Sequence, residues 1–221
     1  MKKKRIIDNY KNLDENKRKL LDQLKDNNWL NVKDKIEKES NLCVFLSCPG
    51  EKELIADKVC AGETGENLDN ILKKLVETYN DISPTIKDND KVIRYKYNII
   101  NSVETVHFRG YNGAEAKEKD IRDDNNIKRV LDELRTIKEI KYIIICGNNA
   151  EILFNNIKDY EEVKKKIENA KIAIISHLGW VALRNKYKNT DEKLKDCETC
   201  ETRDNKRIEL IVKEITDEFN K

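Results

Sequence analysis

The sequence predicts an α/β protein: a three-layer α/β/α sandwich around a four-stranded parallel sheet. Two observations carry that prediction. Four short apolar runs recur along the chain, and the three gaps between them contain amphipathic helices. Each run also ends in a small polar cluster, namely Ser47-Cys48-Pro49-Gly50, Asn101, Gly147-Asn148-Asn149 and Ser176-His177. In a parallel sheet the C-terminal strand ends share one edge, and the loops there are where open α/β proteins bind ligands. The four clusters are therefore expected to converge on one site, although up to about 130 positions separate them.

The elements follow in order. Residues 1–40 are polar with apolar positions at helical intervals, ending in Trp29, Val32 and Ile36, which predicts an N-terminal helical extension. Residues 42–47 form a continuous apolar run, as a strand buried on both faces should. Residues 66–79 place Leu68, Ile71, Leu72 and Leu75 on one helical stripe. A second strand is predicted over 92–106, followed by a loop over 107–126. The helix at 127–138 carries Ile127, Val130, Leu131 and Leu134, and the third strand spans 141–146. Helices at 149–156 and 161–168 then lead to a fourth strand at 171–176. Residues 180–188 and 205–219 complete the chain as a C-terminal helical segment over 180–221. The whole reads as a single domain.

Composition narrows the function classes. Hydrophobic residues make up 38% and charged residues 39%, with a net charge of only +2. A disordered chain would combine strong net charge with an absence of apolar runs. No stretch approaches 18 uninterrupted apolar residues, so no membrane partner is expected. The MKKKR start is not followed by an apolar segment, which predicts a cytoplasmic protein without a signal peptide. A monomer is expected.

Cysteines stand at 43, 48, 60, 146, 197 and 200. Cys43 and Cys146 lie within strand runs and read as small core residues. Cys197 and Cys200 form the single CxxC pair, and His107 and His177 are not spaced to complete a zinc site with it. No metal and no cofactor are expected.

Five segments, taken together, resemble the uracil-DNA glycosylase superfamily, especially its bacterial and archaeal iron–sulfur branch. Leu46-Ser47-Cys48-Pro49-Gly50 lies over that branch's GEAPG, and Ala61-Gly62-Glu63-Thr64-Gly65-Glu66-Asn67-Leu68-Asp69 lies over its VGRAGQLLD. Ile100-Asn101-Ser102-Val103 resembles TNVV, Cys146-Gly147-Asn148-Asn149-Ala150 resembles LGATA, and Ser176-His177-Leu178-Gly179 takes the place of HPS. The resemblance covers about residues 42–185 and implies the same sandwich fold. It also implies DNA or a nucleotide as partner and a repair function, in which a flipped base is recognised and its N-glycosidic bond hydrolysed.

Carried over position by position, the resemblance makes His177, Asn101 and Ser47 the catalytic candidates. Cys48, Pro49, Gly50, Cys60, Gly62 and Asn148 become the substrate-binding ones. The departures are as informative. The family's acid lies over Ser47, the water-activating Asp of its best-known branch lies over Cys48, and the base-stacking Phe lies over Cys60. The branch's cluster cysteines have no counterpart, since residues 1–42 and 61–145 contain none beyond position 60. An iron–sulfur cluster is therefore not expected.

The chemistry that the resemblance implies gives these candidates their roles. Glycosidic cleavage leaves the sugar cation-like and the base anionic, so it needs a hydrogen-bond donor at the base oxygen and a group that orients water. His177 fits the first need, and Asn101 fits recognition of a flipped base's Watson–Crick edge. With Ser47 in the acid's place, Glu51, Glu53 or Glu63 would have to orient water. A basic track of Lys2 to Arg5, Lys91 with Arg94, and Arg184 with Lys186 and Lys188 would serve DNA phosphates. The alternatives are a catalytically inactive nucleotide- or DNA-binding protein of the same fold, and a flavodoxin-like enzyme acting on a small nucleotide.

Overall fold

A computed structural model describes residues 30–84, 92–108, 113–188 and 199–221. The MKKKR segment, Lys91 and Cys197 lie outside the described residues. The strands are β1 (Leu42–Leu46), β2 (Asn98–Asn101), β3 (Tyr142–Cys146) and β4 (Lys171–Ile175). All pair in parallel, in the order β2-β1-β3-β4. The described helices are α1 (Glu51–Ala56), α2 (Glu63–Thr78), α3 (Glu118–Ile121), α4 (Asp124–Thr136), α5 (Asn148–Ile157), α6 (Glu161–Ile167), α7 (Trp180–Lys186) and α8 (Cys200–Phe219).

Strand alternation sorts the core into two layers. Leu42, Val44 and Leu46 of β1 point to one side, where they meet α2 residues such as Leu68, Ile71 and Leu75, and α8 residues such as Ile211 and Ile215. Cys43 and Phe45 point to the other and join Val130 and Leu134 of α4 and Leu153 of α5. Both faces of the sheet are thus covered, which explains why its central strands read as unbroken apolar runs.

Two regions differ from the sequence reading. Only Asn98–Asn101 of the expected 92–106 strand joins the sheet. Arg94–Lys96 instead form a 3₁₀ turn, because the buried Asp69 carboxylate accepts the backbone N–H groups of Ile93 (2.9 Å) and Arg94 (2.8 Å). The predicted helical extension also fails over 30–40, which is an extended strap. Val32 N–H donates to Glu104 C=O, Lys35 and Ile99 exchange backbone bonds, and Val106 N–H donates to Leu30 C=O. The strap therefore runs antiparallel along the outer edge of β2 and covers its unpaired donors and acceptors. Leu30 and Val32 are buried two positions apart, an extended spacing rather than a helical one. Apolar residues after Asn101 pair with this strap, not with the sheet.

Strand order also locates the site. The chain leaves β1 toward β2 on one side, and enters β3 and then β4 on the other. The reversal falls between neighbouring β1 and β3, so a crevice opens beyond their C-terminal ends.

Candidate functional site

His177, Asn101, Ser47, Cys48, Pro49 and Cys60 line one cleft at the C-terminal edge of the sheet, joined by Glu53 and Thr64. The ends of β1, β2 and β4 contribute to it, and the β3 end reaches it only through Asn149, which bonds Ser47. The free space between these groups is about 20 Å³, room for roughly one water.

His177 is held from three directions. Its Nδ1 accepts the Gly179 N–H at 3.0 Å, which fixes the neutral tautomer with the proton on Nε2. Burial lowers its pKa below the usual histidine value, although the charges of Glu115 and Glu53 pull the other way. The imidazole is therefore neutral near pH 7. Gly147 has φ +86°, and a Cβ there would stand 3.3 Å from the His177 Cβ, so the β3–α5 turn closes against the histidine loop. Buried Asn67 secures that loop from α2 by donating to Leu178 C=O at 2.6 Å. The bond holds Gly179, the residue that precedes α7, so a local structural role and a place in the cleft belong to the same residue.

Ser47 is buried at the end of β1, where its Oγ accepts from Asn149 Nδ2 at 3.2 Å. Asn149 also donates to Ala116 C=O at 3.2 Å. Asn148, the predicted residue of this pair, is exposed and stands away from the cleft. The sequence held a signal for the exchange: Asn149 lies on the stripe of Leu153 and Ile157, a polar residue on the buried face of α5. Thr64 was likewise missed, although it precedes Leu68 by one helical turn.

Glu53 is the carboxylate among the residues that line the cleft. Its Oε2 accepts the Gly50 N–H at 3.0 Å, closing the first turn of α1 and leaving Oε1. Gly62 sits behind it, where a Cβ would lie 3.6 Å from Glu53 Oε1 and 3.2 Å from Lys52. Gly62 and Gly50 are thus backing for Glu53 more than lining of the cleft. Glycine is required at Gly65, because a Cβ there would fall 1.8 Å from the Cys60 carbonyl oxygen. That close approach brings Cys60, at φ +56°, under the start of α2.

Neither cleft thiol has a nucleophile's surroundings. Burial pushes both Cys48 and Cys60 up from the usual thiol range, disfavouring the thiolate. His107 stands elsewhere, donating its backbone N–H to Pro49 C=O at 2.8 Å. No group of three or more His, Cys, Asp or Glu suited to a metal ion occurs among the described residues.

Asn101 ends β2 and is 2% exposed. Its backbone N–H and its Nδ2 both donate to Asp34 Oδ1, at 2.9 and 3.1 Å. Arg129 binds the other Asp34 oxygen and donates to Asn101 C=O at 2.9 Å. Sequence reasoning did not single out Asp34, whose partner lies 67 positions away.

A wider depression of about 830 Å³ lies beyond β2, lined by Glu104, Lys117, Asp123, Asn126 and Arg129 among others. Several of its groups are committed to neighbours: Lys33 pairs with Glu104, Asp123 caps α4, and Arg129 pairs with Asp34 and Glu133. The expected basic track is also depleted. Arg94 is buried against Asp69, Arg184 pairs with Asp204 at 3.2 Å, and Lys186 pairs with Glu214 at 2.5 Å.

No family model matches the chain. No curated protein matches it. No helix among the described residues is long and apolar enough to cross a membrane.

Proposed function

We propose that the cleft beyond β1 and β3 receives a nucleobase from DNA or a nucleotide, and that the chain hydrolyses its N-glycosidic bond. The observation that carries this reading is the fixed, neutral His177, held through its Nδ1 with Nε2 left as the donor, which lines the same cleft as Asn101 and Glu53. As the bond breaks, its electron pair leaves with the base, and the charge gathers on a base carbonyl oxygen. A neutral imidazole donor held beside that oxygen stabilises it without giving up a proton. Glu53 Oε1 accepts a proton from the water that attacks the sugar carbon. Ser47 has no base to activate it, so its role is to shape the floor with Asn149.

Two features temper the substrate. The cleft of about 20 Å³ is far below the roughly 300 Å³ at which ligand pockets begin, so it has to widen for a base to enter. Cys60 also supplies no aromatic face, and base stacking is worth roughly 1–3 kcal/mol. Uracil is therefore not expected to be the best substrate.

The test is incubation of pure protein with oligonucleotides carrying uracil, hypoxanthine or modified pyrimidines, with detection of released base. His177→Ala is expected to slow release by about 100-fold or more. Robust release that survives this change sinks the mechanism. The closed cleft and the engagement of Glu53 with Gly50 favour a second reading, a base-binding protein of the same fold without cleavage. Binding to these oligonucleotides without release from any of them would select it.

A further inference from the structure

Asp34 belongs to the strap, not to the sheet, yet its side chain is wholly buried at the end of β2. One of its oxygens takes both N–H groups of Asn101, and the other takes Arg129. Arg129 returns to the Asn101 carbonyl and to Glu133. An ionised carboxylate only accepts hydrogen bonds. The group of the Asn101 carboxamide that faces Asp34 must therefore be its NH₂. This leaves the Oδ1 acceptor as the group that the carboxamide turns away from Asp34, on a residue that lines the cleft.

We propose that Asp34 is a positioning residue, which sets the orientation of the Asn101 carboxamide and so determines which hydrogen-bonding edge of a base the cleft accepts. The proposal rests on the base-binding reading above. A carboxamide locked with its oxygen forward pairs with a ring N–H, as in uracil or hypoxanthine. It meets the bare ring nitrogen of cytosine acceptor to acceptor. A free carboxamide would turn over and accept either edge. The discrimination thus resides in a residue that touches no ligand.

When Asp34 is removed, Glu133 remains beside Arg129 as its counter-charge. The test uses the full chain as wild type, Asp34→Ala, Asp34→Asn, Asn101→Ala and the Asp34→Ala/Asn101→Ala double variant. The first arm is NMR of the Asn101 side-chain NH₂, identified by its loss in Asn101→Ala. One of its protons is expected to exchange slowly with solvent in the wild type, rapidly in Asp34→Ala, and slowly again in Asp34→Asn, whose amide oxygen still accepts. The second arm is binding of matched single-stranded oligonucleotides carrying uracil or cytosine. The uracil preference should fall about tenfold in Asp34→Ala, by a similar factor in Asn101→Ala, and no further in the double variant.

Slow exchange that persists in Asp34→Ala, or a preference that survives it, overturns the proposal. If Asp34→Ala does not fold, fast exchange in Asp34→Asn overturns it and slow exchange upholds it. A wild type without any uracil preference defeats the base-recognition reading itself. The NMR arm then still decides whether Asp34 orients Asn101.

Discussion

Two buried acid–arginine clusters flank the site, and they are built on different arithmetic. Beneath α2, Asp69 meets Arg94 one to one, and the carboxylate also accepts two backbone N–H groups. Under the strap, Arg129 faces two carboxylates, Asp34 and Glu133. The first cluster is balanced and closes a turn. The second has one negative charge too many for a buried setting, so it retains a proton. Burial raises both acids, but the donors on Asp34 favour its ionised form. The proton therefore resides on Glu133, pushed up to about 8 by burial first and by the neighbouring Asp34 charge second. The balanced pair is a clamp, whereas the unbalanced one senses pH and touches a residue of the cleft.

The largest difference should appear on deleting one acid from each cluster. Asp69→Ala strands a buried guanidinium and frees two backbone donors. It should cost about 3–5 kcal/mol in urea unfolding or prevent folding. Asp34→Ala leaves Glu133 for Arg129 and should cost clearly less. Equal costs would remove the distinction.

A smaller effect concerns pH. An ordinary Glu titrates near 4.5, and Glu133 in the fold holds its proton to about 8. Between those values the folded chain binds a proton that the unfolded chain releases. The stabilisation is complete below about pH 4.5 and disappears as pH rises through about 8. Urea midpoints should fall across this window, and Glu133→Gln should flatten the fall. A slope unchanged in Glu133→Gln would place the proton elsewhere.

The smallest stability effect is expected at Glu53, which belongs to neither cluster. Glu53→Gln keeps an acceptor for the Gly50 N–H and should alter stability by less than about 1 kcal/mol. If Glu53 orients water, the same change stops base release. Stability loss without loss of release would reduce Glu53 to a cap.

Much of this was legible in the sequence, and the remainder was illegible for physical reasons. Buried strands announce themselves as apolar runs, so β1, β3 and β4 were found within one residue of their ends. Their terminal clusters located Ser47, Cys48, Asn101 and His177. The second strand was overdrawn because its apolar alternation continues past Asn101. Period-two patterning records pairing but does not name the partner, here the strap. The helical reading of 30–40 joined Trp29, Val32 and Ile36 across the Leu30–Val32 alternation that governs the strap. Asn148 came from the resemblance, whereas the buried stripe of α5 marks Asn149. Asp34 was invisible, since a lone acid among lysines in a polar segment reads as a solvated surface until a long-range contact buries it.

The strap gives the molecule two levels of opening. It is tied by backbone bonds to the β2 edge at Lys35 and to the segment after β2 at Leu30 and Val32, while the strands it borders are locked between two layers of helices. Segments of this kind detach at a lower free energy than the whole domain unfolds. Each detachment would withdraw Asp34 and leave the sheet, His177 and Glu53 in place. Recognition and folding would then fail at different rates. Amide exchange at Val32 and Lys35 would record how often an otherwise native chain loses its power to choose.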